Sequence, residues 1–582
     1  MKFYNNIYNK VAKATVMLAV ALTSTSCVDT EIIPDDLTVD DELWESKSKV
    51  TMVVNSAYKA MINQTIMQEM IVWGDFRSDE LNYVSSINNG TSQDLAEISS
   101  AKIETDNMFN NWAPFYSVIN YCNIVLEKAG AVTEIDPNYT PGDFSVDRSQ
   151  MIALRSLCYF YLIRAFRDVP YTETASMNSS DEQNLTQEAP LNVLNKCITD
   201  LESVKDQGLS VFSFTDWRRV GYFTQDAMYA LLADMYLWRA SVTHSSADYQ
   251  KCVEYCDWVI NNKINWYKYY HPRLTEQDLA DNPYCLTAYN MYFNDIFINQ
   301  NGSESILELQ FDGNTNSNTA LCQMFNRYGS SATTGYLTTT AYYGTIAPTS
   351  VYTTQEDQRA WETVYGQNTN SDVYYVKKGV TETAHGTSKK GDARPNILRG
   401  YDRYAQNWII YRMTDVMLMK AEALVQLGGN NKEDQYTKDA FDLVYQVNLR
   451  AIAQNTIADK QTYALKYDEV EDMELLVMQE RARELCFEGK RWFDMLRYNY
   501  RHVNNVDYGV TLANQNGAFA SVYEPMLNML VAKYASGGSA IKANIKSEPY
   551  LYMPVLQREI DINPALVQNP VYHSNKTSSK NN

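Results

Sequence analysis

Apolar residues recur at intervals of three and four over much of this 582-residue chain, the period of amphipathic helices rather than of strands. The pattern predicts helices near 44–64, 108–130, 147–167, 188–206, 224–241, 247–262, 407–427, 433–452 and 472–498. Asp147 and Thr224 each stand just before an apolar-periodic run, as N-caps do. Gly428-Gly429 closes the run Met417–Leu424 where a left-handed cap is expected. Ala227, Ala230 and Ala233 form a small-residue stripe that lets a second helix approach, with Tyr236 and Trp238 filling the flanks. Pairing 108–130 with 147–167, 188–206 with 224–241, 247–262 with 407–427 and 433–452 with 472–498 predicts a mainly α scaffold of four tetratricopeptide-like helix pairs.

The helical pattern lapses over 265–404. Ser305-Ile-Leu-Glu-Leu-Gln-Phe311 reads as a short strand, set among glycine-, asparagine- and threonine-rich loops that carry Tyr328, Tyr336, Tyr342 and Tyr343. A loop-rich insert of this length inside a helical scaffold is where function is expected.

The amino terminus has its own pattern. Lys2, Lys10 and Lys13 lead into the apolar run Ala14–Leu22, too short for the roughly 20 residues that cross a bilayer. Ser24, Thr25 and Ser26 then precede Cys27. Residues 1–26 therefore read as an export signal, with Cys27 as the acylated first residue of a lipoprotein. Ser24 departs from the large aliphatic usual three places before such a cysteine.

Composition removes several classes of function. The net charge of −20 disfavours nucleic acid and unaided binding to an acidic membrane. Only five histidines occur, none at H-x-x-x-H spacing, and the nine cysteines include no C-x-x-C, so no metal site or cofactor is expected. The chain has no G-x-S-x-G, no Walker loop and no G-x-G-x-x-G. It does hold 44 tyrosines, whose flat rings and polar tips suit wet binding surfaces.

Near the carboxyl end stands Glu480-Arg-Ala-Arg-Glu-Leu-Cys-Phe-Glu-Gly-Lys-Arg-Trp-Phe-Asp-Met-Leu-Arg-Tyr498. Ile410–Leu424, Arg155–Pro170 and the tail Tyr550–Pro570 accompany it. In this order the segments resemble the SusD/RagB family, whose hallmark is E-R-x-x-E-[LF]-x-F-E-G-x-R-[WY]-x-D-[LM]-x-R. The resemblance runs from residue 27 to 572 and is loosest over 265–404. It implies one domain over 27–582, with repeats about 108–262 and 407–498, a ligand-binding insert about 265–404 and an extended segment about 548–572. It further implies a surface lipoprotein of the outer membrane that binds a glycan without altering it. Delivery would be to a SusC-like, TonB-dependent transporter. The alternatives are a peptide-binding, RagB-like uptake protein and a tetratricopeptide-type interaction scaffold.

Within the hallmark, the spacing of Glu484, Glu488, Arg491 and Asp494 predicts a ladder of ion pairs along one helix face, with Gly489 mid-helix beside another backbone. Arginine-paired carboxylates stay ionised, so the ladder reads as structural rather than as a glycosidase pair. Candidate ligand contacts lie in Trp73–Tyr83 and in the insert. Trp73 is expected as a stacking platform, Arg77 and Asn82 as partners of sugar hydroxyls, and Tyr83, Tyr336 and Tyr343 as further aromatics.

Overall fold

A computed structural model describes residues 44–177, 184–325, 335–365, 373–380, 404–534 and 537–572. Residues 1–26, Cys27 and Tyr328 lie outside the described residues.

The scaffold is a run of helices stacked in chain order: α1 (Lys47–Met61), α2 (Ala113–Val132), α3 (Pro141–Phe166), α4 (Pro190–Val204), α5 (Gln225–Thr243), α6 (Ser246–Tyr270), α7 (Met413–Leu427), α8 (Gln435–Ala451), α9 (Met473–Leu485) and α10 (Arg491–His502). Each predicted pair is in contact. The junctions between pairs, α3 on α4, α5 on α6 and α7 on α8, are packed as well, so the repeats form one continuous stack. The core follows from hydrophobic width. Residues 149–166 of α3 are buried on every side, and so is nearly all of α5, with Arg155 paired to Asp200 and Arg164 to Asp234. Ala227, Ala230 and Ala233 are fully buried, and Trp238 lies edge-on to Phe160 and Phe493.

Several boundaries differ from the sequence expectation, three of them with a visible cause. Helix α3 starts at Pro141 rather than at Asp147, because Thr140, seven residues before Asp147, closes a capping box with Asp143. The stretch 408–412, expected as helix, is a strand because it finds a partner. Eight short strands occur among the described residues. Among β1 (Leu81–Tyr83), β2 (Ser305–Leu309), β3 (Leu337–Thr339) and β4 (Trp408–Arg412), β2 pairs with β4 and β1 with β3, both antiparallel. The hallmark is not one helix but two, α9 and α10, broken at 486–490.

That break sets the geometry of the rest. Phe487 and Gly489 have positive φ, 63° and 74°, and Gly489 meets Gly74, where an added Cβ would sit 2.2 Å from the Gly489 carbonyl oxygen. The close backbone approach expected at Gly489 is therefore real, but it occurs in a turn, not within a helix. The expected ladder along one helix does not form, because the break turns its members toward different partners. Glu484 accepts from Arg359, Arg412 and Arg450, and Glu488 accepts from Lys378 and Arg412. Arg491 makes a two-pronged bond to Asp79, and Asp494 pairs with Arg481 and Arg497. These side chains are all buried. Arg359 and Lys378 come from the insert, so the Glu484–Glu488 seam fastens the insert to the stack.

Candidate functional site

The turn after the first helices explains why several expected contacts are not at the surface. Residues Val72–Phe76 form a π-helical turn that carries Trp73 inward. Trp73 is fully buried, stacked on Phe115 at 5.3 Å and edge-on to Phe166, with its indole N–H donating to the Phe109 carbonyl. Both faces are covered, so Trp73 is a core residue and not a stacking platform. Arg77 is also buried, its guanidinium 4.6 Å from the Trp492 ring centre and Nη2 reaching the Tyr550 carbonyl at 3.5 Å. Burial pushes it down to about 10. It ties the loop to the carboxyl-terminal segment and offers no fork to a ligand. Tyr343 is enclosed against Tyr342 and Phe487, and burial pushes its phenol well up. It too belongs to the core.

Of the other three expected residues, Asn82 and Tyr336 come together and Tyr83 does not. Strand β1 places Leu81 in the core and leaves Asn82 and Tyr83 half-buried. Strand β3 lies along it with Asn82 opposite Thr338 and Tyr83 opposite Leu337. The ladder continues through the Val84 amide, which donates to the Tyr336 carbonyl at 2.8 Å. The Tyr336 ring is half-buried, and its hydroxyl accepts from Asn89 Nδ2 at 2.9 Å. Asn82 and Tyr336 thus fall on one face, a shoulder shared with the exposed residues Ser85, Ser86, Asn88 and Asn89, while Tyr83 lies on the alternate face with Leu81 and Leu337, packed against the core.

The shoulder is held from beneath. Asn89 Oδ1 caps the helix Gly90–Ser99 through the Ser92 amide, so one side chain orders both a helix start and the Tyr336 hydroxyl. Thr339 and Thr340 donate to the carbonyls of Glu80 and Asp79. Lys533 donates to the carbonyls of Phe76, Ser78 and Leu81. Burial pushes Lys533 down to about 7, against the pull of Asp79. The acids of this loop face inward: Asp75 accepts from the amides of Gly489 and Lys490, and Glu80 from that of Phe487. What remains outward is neutral, with amides, hydroxyls and a phenol ring.

Asn89 was not anticipated. Its signal was the run Asn88-Asn-Gly-Thr-Ser92, an Asn-Gly pair of the kind that starts a helix. A wider hollow of about 680 Å³ elsewhere is lined by Tyr171, Glu173, Glu188, Lys196 and Asp200. Its charges are paired with Arg155 and with one another, and Lys196 covers the Tyr171 ring at 4.4 Å. Among the described residues no group of three His, Cys, Asp or Glu is placed to hold a metal, and no helix is long and apolar enough to cross a membrane.

Comparison with known proteins gives the same order of segments. Residues 31–237 match a family described as starch-binding, associating with the outer membrane, and residues 332–572 match the SusD family. The SusD-like protein P38 of Formosa agariphila is 25% identical over 508 residues, covering 81% of this chain and 87% of its own. A SusD superfamily protein of Bacteroides thetaiotaomicron superposes with a TM-score of 0.61 at 18% identity, over 91% of this chain and 99% of its own. Surface glycan-binding protein A of the same species, solved in complex with laminarihexaose, superposes with a TM-score of 0.59 at 17% identity, over 90% and 99%. Sequence models at both ends and one fold across the length between them agree: the chain belongs to the SusD/RagB family.

Proposed function

We propose that this chain is a lipoprotein anchored through Cys27 at the outer-membrane surface, where it holds a glycan at the Asn82–Tyr336 shoulder and hands it unchanged to a SusC-like, TonB-dependent transporter. The observation that carries this reading is the placement of Asn82 and Tyr336 on one uncharged shoulder, with Asn89 bonded to the Tyr336 hydroxyl. Sugar rings offer flat C–H faces and a rim of hydroxyls, which half-exposed phenols and amides match. Membership of the family supports it, as does likeness to a relative solved with laminarihexaose. The non-catalytic part rests on the hallmark carboxylates. Burial pushes Glu484 up, but Arg450, Arg412 and Arg359 outweigh it and hold the group well below the usual range. A general acid needs the opposite shift.

Native gels cast with laminarin, starch, xylan or pectin test the binding. Wild-type protein is expected to be retarded by one of them, and Tyr336→Ala or Asn82→Ala to lose about tenfold or more in affinity, as removal of a central aromatic or polar contact does. Binding only to a peptide mixture would replace the glycan with peptide cargo. Cys27→Ser is expected to release the protein from the membrane fraction. Mild solubilisation of membranes is expected to recover wild type with a large outer-membrane barrel; recovery without one would remove the transporter from the scheme.

A further inference from the structure

Exposed rings elsewhere on the molecule gather in one place. Five large aromatics are more than about a third exposed among the described residues, and three of them, Phe212 (39%), Trp217 (45%) and Tyr269 (69%), lie on or against one connection of the chain, with Trp217 beside Tyr222 at 5.5 Å. Phe212 and Trp217 lie on the connection between α4 and α5, and Tyr269 on the last turn of α6. Phe212 and Tyr269 meet edge to face at 5.8 Å, and Tyr269 continues to Tyr270 at 5.0 Å. Arg219 locks the connection to the helix end, lying 4.6 Å from the Trp266 ring centre and donating to the Gly302 carbonyl at 3.1 Å. Trp217 lies against the backbone at Gly221, where an added Cβ would sit 2.6 Å from its ring. The glycine is what lets the indole lie so close.

Polar groups of the right form stand beside these rings. Asp216 accepts from Arg218 Nε and Nη2 at 3.0 and 2.8 Å, and the guanidinium lies 4.9 Å from the Phe214 ring centre. Both members of the pair are about half exposed, 44% and 47%. The pair is an ordered fork of donors and acceptors with no net charge. A patch of rings plus a neutral fork suits vicinal hydroxyls and C–H faces. It lacks the lysine cluster that an acidic lipid surface would require. No hydrogen bond or ring contact among the described residues joins this surface to the Tyr336 shoulder.

We propose that Phe212, Trp217 and Tyr269, with the Asp216–Arg218 fork, form a second carbohydrate-contact surface that holds another stretch of the same polysaccharide. This rests on the glycan reading of the shoulder. Two contacts on one polymer multiply retention, whereas a short oligosaccharide engages only one.

The test uses the full chain with Trp217→Ala, Tyr269→Ala and Tyr336→Ala, all checked for an unchanged melting temperature. Retardation is read in gels cast with laminarin, starch or xylan. Affinity is read by calorimetry for laminarihexaose, maltohexaose or xylohexaose. Trp217→Ala and Tyr269→Ala are each expected to weaken polymer retention by about threefold or more, and to leave hexaose affinity within about twofold. Tyr336→Ala is expected to weaken both, hexaose affinity by about tenfold or more. Polymer retention unchanged in both Trp217→Ala and Tyr269→Ala overturns the second surface and leaves the shoulder standing. A wild type retarded by none of the polymers removes the glycan reading, and this surface with it.

Discussion

The seam around Glu484 and the shoulder around Tyr336 are built from opposite materials. The seam is dry and charged: Glu484, Glu488, Arg359, Arg412, Arg450 and Lys378 are all buried and tied to one another. The shoulder is half-exposed and neutral, and its polar groups keep capacity for a ligand. The residues that make the family recognisable are thus the ones that join insert to stack. The residues proposed to meet cargo are ordinary asparagines and tyrosines that no motif marks. The strong motif here locates the joint of this fold, not the proposed binding surface.

The sharpest way to break that contrast is to remove one charge from the seam. Arg412 donates to both Glu484 and Glu488, at 2.6 and 2.8 Å. Arg412→Met leaves both carboxylates short of a buried partner, and such a loss costs about 3–5 kcal/mol. Denaturant melts are expected to show that drop, while the fraction that remains folded keeps its glycan affinity. Tyr336→Ala is expected to do the reverse, with affinity falling and the melt moving far less. If Arg412→Met left stability untouched, the seam would not be the fastener.

A smaller effect separates two glycines that look alike in sequence. Gly74→Ala drives a methyl into the Gly489 carbonyl, and overpacking of this kind costs about 1–3 kcal/mol. Gly90, at the start of the helix after the shoulder, has nothing within 4 Å of its added Cβ. Gly90→Ala is expected to stabilise by about 0.5–1 kcal/mol, because it restricts only the unfolded chain. Melting temperatures that moved in the same direction for both would show that the Gly74–Gly489 approach is not tight.

Much of the stack was legible because helix periodicity is local: α2 to α8 lie where their apolar stripes put them, although the starts of α3 and α7 and the end of α6 differ. The misses share one cause. Trp408–Arg412 reads as helix until β2 is known to lie beside it. The break at 486–490 is imposed by Gly74, more than four hundred residues away in sequence. Trp73 and Tyr343 sit in polar, glycine-bearing stretches that look like surface loops, but Phe109, Phe115 and Phe487 close over them from other parts of the chain. Asn82 and Tyr336 came together because a strand pairing joins two loops that the sequence already marked as polar and aromatic, and the same pairing turns Tyr83 to the other face. Which aromatic is buried is decided by distant neighbours, and local composition carries no record of them.

Acidity distinguishes seam from shoulder support by the smallest expected effect. Burial pushes Glu484 and Glu488 up, but neighbouring cations outweigh it and hold both below the ordinary 4.5, and Arg497 and Arg501 do the same for Glu422. Carboxyls lowered on folding stabilise above their unfolded value, and that stabilisation disappears as pH falls through the folded one. Asp75, under the shoulder, runs the other way. Burial raises it from 3.8 to about 7, against hydrogen bonds from Gly489 and Lys490. A raised carboxyl stabilises fully below its unfolded value and loses that contribution as pH climbs to the folded one. The melting temperature is therefore expected to peak near about pH 5, falling below about pH 4.5 as the seam protonates and falling again toward about pH 7 as Asp75 ionises. Asp75→Asn, which mimics the protonated group, is expected to make the upper limb shallower, since Glu80 and Glu362 are also raised by burial, and to leave the acid limb in place. A profile for Asp75→Asn parallel to wild type at every pH would mean that Asp75 does not contribute to the upper limb, and the contrast between cation-paired and cation-free buried carboxyls would fail there.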